Sequence, residues 1–105
     1  MKEIKTISEY QELGKERPAI LEFGMAEGCI PCKLTKENLT NLEKNDTFNA
    51  DYYFCGNIDM MAEFGYSNVP VVAVISKSRK NELTDNSISM DMEELSEWLK
   101  SQIDE

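Results

Sequence analysis

The sequence predicts a layered α/β domain built on a small mixed sheet of four to five strands flanked by helices. Two near-continuous apolar runs, Ala19-Ile-Leu-Glu-Phe23 and Val71-Val-Ala-Val-Ile75, read as central strands covered on both faces. From Cys32 to about Asn45 there is no Gly or Pro, and the chain ends in a segment with apolar residues at helical spacing. Helices of this kind supply the cover that such strands need. A chain of 105 residues is enough for one core and too short for two, so residues 1–105 are expected to form a single domain.

Taken in order, Ile4 and Ile7 flank Lys5 and Thr6 in a stretch that reads as an edge strand. Ser8 is then expected to cap a short helix through Tyr10 and Leu13, with Gly14 near its end. Pro18 breaks the pattern before the strand Ala19–Phe23. A turn-rich segment, Gly24-Met-Ala-Glu-Gly-Cys-Ile-Pro-Cys32, leads into a helix with Leu39 and Leu42 on one side. Asp51-Tyr-Tyr-Phe-Cys55 is aromatic-rich and reads as a strand. Met60 to Phe64 is expected to make one or two helical turns ending at Gly65. After the β-branched run at Val71–Ile75, Ser76 to Asn81 reads as a turn and Glu82 to Ser89 as a further strand. Asp91 caps the final helix, with Glu94 three residues on as in a capping box. Met92, Leu95, Trp98, Leu99 and Ile103 give that helix an apolar face.

Charge narrows the function. Eleven Lys and Arg against twenty Asp and Glu, with no histidine, leave a net charge of −9. Such a surface repels phosphate backbones and anionic headgroups, so neither a nucleic acid nor a membrane is the expected partner. The apolar runs fall far below the roughly 18–20 residues of a membrane-spanning helix. The opening Met1-Lys-Glu-Ile-Lys-Thr-Ile7 lacks the apolar stretch of a secretory signal, so a cytoplasmic location is expected. Thiols are held mostly reduced in that compartment.

Three cysteines are too few, and odd in number, for a disulfide scaffold. Cys29-Ile-Pro-Cys32 instead has the spacing that lets two sulfurs meet when the first begins a helix and the second lies in its first turn. Unpaired amides and the helix dipole favour a thiolate at Cys29, lowering its pKa from the free value of about 8.5. Pro31 suits the first turn, where its missing N–H costs nothing. Ile30 is expected to form an apolar shoulder that limits water access to the sulfurs. A zinc site usually needs four Cys or His ligands; with no His and one distant Cys55, one chain does not complete it. A metal bridging two chains stays open. Neither a metal nor another cofactor is expected, and no flavin or nicotinamide fingerprint is present.

Ile20-Leu-Glu-Phe23, Ala26-Glu-Gly-Cys-Ile-Pro-Cys-Lys33, Asn57-Ile-Asp59 and Asn68-Val-Pro-Val-Val72 together resemble the ordered landmarks of thioredoxins. The Asp91–Leu99 helix is similar as well, so the resemblance covers nearly the whole chain. It implies a thioredoxin-like fold and a thiol–disulfide oxidoreductase that reduces protein disulfides. By that resemblance Cys29 is the nucleophile that forms a mixed disulfide. Cys32 resolves it, leaving a redox-active Cys29–Cys32 disulfide. Pro70 matches the family's cis-proline; the backbone of Val69 would pair with an extended substrate beside Ile30 and Pro31. Glu22 matches the family's buried acid and would accept the Cys32 proton; the alternative is an exposed Glu on an alternating strand. A separate reductase would supply electrons, and the protein would act as a monomer.

The departures lie at the rim. Gly28 stands where these proteins carry Trp, Ile30 where they carry Gly, and Cys55 where many have a Lys near the buried acid. Glu37 replaces a helix-kinking Pro, and Ser87 or Ile88 replaces a Gly that leaves room for substrate. Cys55 reads as a small apolar core residue; a third redox-active sulfur would need it to approach Cys32. A second function stays open beside the enzyme: a non-catalytic or redox-sensing binding module that docks a partner on this altered rim.

Overall fold

The structure is a computed structural model and describes residues 1–77 and 79–103. A five-stranded mixed sheet runs in the order β1-β3-β2-β4-β5. Its strands are β1 (Lys2–Glu3), β2 (Ala19–Phe23), β3 (Asp51–Cys55), β4 (Val71–Ser76) and β5 (Arg79–Leu83). The β1–β3 and β3–β2 pairs are parallel, and β2–β4 and β4–β5 antiparallel. The helices are α1 (Ile7–Gln11), α2 (Ile30–Lys44), α3 (Ile58–Glu63), α4 (Asn86–Ser89) and α5 (Met92–Ile103).

Every residue of β2 is buried, as its apolar run requires, and alternation divides the core into two. Leu21, Phe23, Cys55, Val71 and Ala73 join Met60 and Met61 of α3 on one face. Ile20, Tyr52, Val72 and Val74 meet Leu39 and Leu42 of α2 and Leu95 and Leu99 of α5 on the other. Burying a Leu side chain from water stabilises the fold by about 1.5–3 kcal/mol before entropy is subtracted. The two expected faces, Leu39–Leu42 and Leu95–Leu99, are the ones that make this contact. α2 runs unbroken for 15 residues, in keeping with Glu37 in place of a proline.

Local hydrogen bonding moves several boundaries. The first strand is Lys2–Glu3, not Ile4–Ile7: Ile4 donates one more bond to the Phe54 carbonyl and then turns inward. Thr6, not Ser8, caps α1. Its hydroxyl accepts from the Glu9 N–H while the Glu9 carboxylate accepts from the Thr6 N–H, a complete capping box. The helix stops at Gln11, before Leu13. The expected turn Ser76–Asn81 is shorter, because Ser76 pairs with Arg79 and only two residues intervene. Lys77 has φ +54°, as tight hairpins favour; Ser78 lies outside the described residues. β5 therefore starts at Arg79 rather than Glu82. The expected strand to Ser89 is cut at Leu83, where Asp85 accepts from the Ser87 N–H (2.9 Å) and starts the single-turn α4. Asp91 caps α5 as expected, accepting from the Glu94 N–H at 3.0 Å.

Among the described residues, no helix is long and apolar enough to cross a membrane. None of them forms a group of three or more Cys, Asp or Glu side chains placed to hold a metal ion.

Candidate active site

The chain leaves β2 at Phe23, passes Gly24 and enters α2 at Cys29. Gly28, just before it, has φ +76°, a left-handed conformation that glycine adopts without strain. Cys29 is the N-cap, in extended conformation, and its sulfur accepts from the Cys32 N–H at 3.2 Å. Pro31 lies in the first turn, as its chemistry favours. Cys29 and Cys32 are joined in a disulfide, with Cα atoms 5.3 Å apart. Cys29 is half-buried, whereas Cys32 is 1% exposed. The more accessible cysteine is thus the one whose sulfur accepts from a helix amide, and the sheltered one lies one turn on.

Ile30, the first residue of α2, is 73% exposed and lines the same pocket as Cys29 and Cys32.

Glu22 is fully buried in β2, which settles the choice between a buried acid and an outward-facing strand residue. It pairs in register with Phe54 and Val72, so its side chain faces α2. Neither carboxyl oxygen has a hydrogen-bond partner in the protein. Burial pushes its pKa up to about 8 from 4.5, opposed by the positive charge of Lys36. Gly24 brings this acid close to the disulfide. A Cβ built there would stand 3.0 Å from Glu22 Oε2 and 3.3 Å from Cys32 Sγ, so carboxyl and sulfur line the same gap. The Met25 N–H donates to Cys32 Sγ at 3.5 Å.

The Val69–Pro70 peptide is cis. Pro70 is buried and Val69 half-buried. Val71, the next residue, pairs with Phe23, so Pro70 lies at the end of β2 where Gly24 packs on Cys32. The fold therefore gathers Glu22, Cys29, Cys32 and the Val69–Pro70 peptide at one end of the sheet. Cys55 pairs with Phe23, packs on the opposite sheet face from Glu22 and sits 3.9 Å from Met60 Sδ. Burial pushes its thiol pKa up. It is a core residue in this arrangement.

Two site residues were not singled out from sequence. Lys36 lies one turn after Cys32, with its ammonium 4.3 Å from the Phe54 ring centre, and Phe54 flanks Glu22. Both line a pocket of about 540 Å³ beside Cys29 and Cys32. The four-residue spacing from Cys32 was the available signal for Lys36; Phe54 needed the strand register. On the α5 side, the Thr35 hydroxyl donates to Ser89 Oγ at 3.0 Å and Asn38 donates to the Ser89 carbonyl, fastening α4 to α2.

No family model and no curated protein matches this sequence. Solved structures do resemble it. A mutant thioredoxin from Halobacterium salinarum superposes with a TM-score of 0.79 at 14% identity, over 97% of this chain and 89% of that one. Fasciola hepatica thioredoxin gives 0.78 at 17% identity, over 96% and 98%. Mitochondrial thioredoxin 3 from Saccharomyces cerevisiae gives 0.74 at 16% identity, over 99% and 93%. The chain thus has the thioredoxin-like fold. With two cysteines of a C-x-x-C pair at disulfide-bonding distance, that fold fits a redox function.

Proposed function

We propose that this protein is a dithiol–disulfide oxidoreductase that reduces protein disulfides through Cys29 and Cys32. The observation that carries the reading is the asymmetry of the pair. One sulfur is reachable and held by the start of a helix; its partner is buried beside an unpartnered carboxyl.

In the reduced protein, the Cys29 thiolate attacks one sulfur of a substrate disulfide. A Cys29–substrate bond forms, and the other substrate sulfur leaves with the electron pair and takes a proton from water. Ionised Glu22 then accepts the Cys32 proton. The Cys32 thiolate attacks Cys29, closing the Cys29–Cys32 bond and expelling the second substrate thiolate. Two electrons have passed from the protein to the substrate. A carboxyl whose pKa burial raises to about 8 is a far better proton acceptor for a thiol than an ordinary carboxylate. In the disulfide form at neutral pH, Glu22 is mostly protonated. It then serves as the acid that protonates Cys32 when a reductase reopens the bond.

Ile30, Pro31, Val69 and Pro70 make the substrate-facing rim, with the Val69 backbone pairing to an extended segment. The exposed apolar side chains of Met25, Leu34 and Met90 suit contact with an unfolded or flexible partner. The remaining features of the reading are one domain over residues 1–105, a monomer, a reducing cytoplasm, and electrons from a separate reductase. Insulin reduction tests it: Cys32→Ser is expected to abolish turnover. Full turnover by that variant would refute the two-cysteine mechanism.

A further inference from the structure

On the sheet face opposite Glu22, a lysine stands among four aromatic rings. The Lys80 ammonium lies 4.6 Å from the ring centre of Phe64, 5.1 Å from Tyr66, 5.2 Å from Tyr10 and 5.6 Å from Phe23. The rings also pack on one another, with Tyr10–Phe64 centres at 4.8 Å and Phe23–Tyr66 at 4.9 Å. Glu82, two residues along β5 on the same face, lies 3.5 Å from the Lys80 ammonium and accepts a hydrogen bond from the Tyr66 hydroxyl. Burial disfavours the Lys80 charge, but the Tyr66 and Tyr10 hydroxyls outweigh it and hold its pKa above the ordinary value. A lysine serving solubility needs only water; this one is held by α1, β2, β5 and the segment after α3.

That cluster touches both walls of the site. Phe23 pairs with Val71, the residue after Pro70, and precedes Gly24, which packs on Cys32. Tyr66 opens the Tyr66–Pro70 segment, and Val69 packs against the same core cluster as Tyr66, Phe64 and Tyr10. We propose that Lys80 and Glu82 are positioning residues. They clamp Tyr66 against Phe23 and thereby hold the Val69–Pro70 peptide at the spacing from the cysteine pair that an extended protein substrate requires. This rests on the reading that Val69 receives substrate backbone. It goes further in assigning that geometry to a cation–aromatic clamp reaching in from the edge strand.

The clamp has a distinctive kinetic consequence. A protein disulfide needs both the cysteine pair and the Val69 backbone, whereas a small disulfide needs only Cys29. Lys80→Met is therefore expected to raise KM for insulin by about tenfold with kcat little changed, because desolvated cation–aromatic contacts are worth that much. The rate with dithiobis-nitrobenzoate is expected to stay within about twofold, since the helix start at Cys29 is untouched. Lys80→Arg keeps the charge over the rings and is expected to restore the insulin KM. Should Lys80→Met fail to fold, Glu82→Gln carries the same test with a smaller shift. An unchanged insulin KM, or equal losses with both substrates, would overturn the clamp. Wild-type protein that reduces neither disulfide would instead overturn the underlying oxidoreductase reading.

Discussion

Replacing Glu22 with Gln removes the titration from a fully buried site and nearly preserves its shape. The carboxyl has a folded pKa of about 8 against 4.5 for the unconstrained side chain, raised by burial and partly offset by Lys36. Below pH 4.5 both the folded and the unfolded chain hold the proton, and the group adds no pH dependence. Between pH 4.5 and 8 the unfolded chain ionises while the folded chain keeps its proton, so wild-type stability falls as pH rises. Above pH 8 both are ionised and the loss is complete. At about 1.36 kcal/mol per pH unit, this window corresponds to a ceiling of about 5 kcal/mol, a large share of the stability of a small domain. The assay is urea unfolding of the disulfide forms of wild type and Glu22→Gln at pH 5 and pH 8.5. The advantage of the variant is expected to grow by several kcal/mol between them. At a urea slope of about 1–3 kcal/mol per molar, that moves the difference in midpoints by about 1–4 M. A difference that stays constant across the window would mean that Glu22 is hydrated, and the proton-transfer argument would fall with it.

Further outcomes follow from the same geometry. Lys36→Met removes the positive charge that opposes burial at Glu22, so the pH midpoint of that stability window is expected to move upward; an unmoved midpoint would show that the two groups do not interact. Cys55→Ala is expected to cost about 1 kcal/mol in urea unfolding, through loss of packing around a buried sulfur, and to leave insulin turnover intact. Lost turnover in a folded Cys55→Ala protein would revive a third redox sulfur. Thr6→Ala breaks a complete capping box and is expected to lower unfolding stability by about 1 kcal/mol, with turnover unchanged.

What could be read from the sequence follows how local each signal is. β2 and β3 were legible to the residue because their apolar and aromatic runs end at polar or glycine positions, and the helix start at Cys29 follows from one dipeptide spacing. β5 was misplaced because an edge strand is polar: Arg79, Lys80 and Asn81 look like a turn until Ser76 pairs with Arg79. The capping box at Thr6 was visible in Thr6-x-x-Glu9, and the neighbouring Ser8 obscured it. Glu22 was ambiguous in sequence, since strand alternation alone also allows an outward-facing carboxylate, and the burial of all of β2 decides it. Its nearness to Cys32 depends on the bend at Gly24, which no periodicity reports. The rings around Lys80 come from α1, β2 and the segment after α3, and only the folded sheet brings them to one ammonium on β5.

The central claim is that the helix start keeps the sulfur of Cys29 ionised, and it is most directly tested by the pH dependence of alkylation in the fully reduced protein. The rate at Cys29, followed by mass spectrometry, is expected to rise with a midpoint well below the free-thiol value of about 8.5. Cys32 and Cys55 should remain slow across that range. A Cys29 that titrates like an unperturbed thiol would contradict the account and favour a binding module that keeps its cysteines without using them.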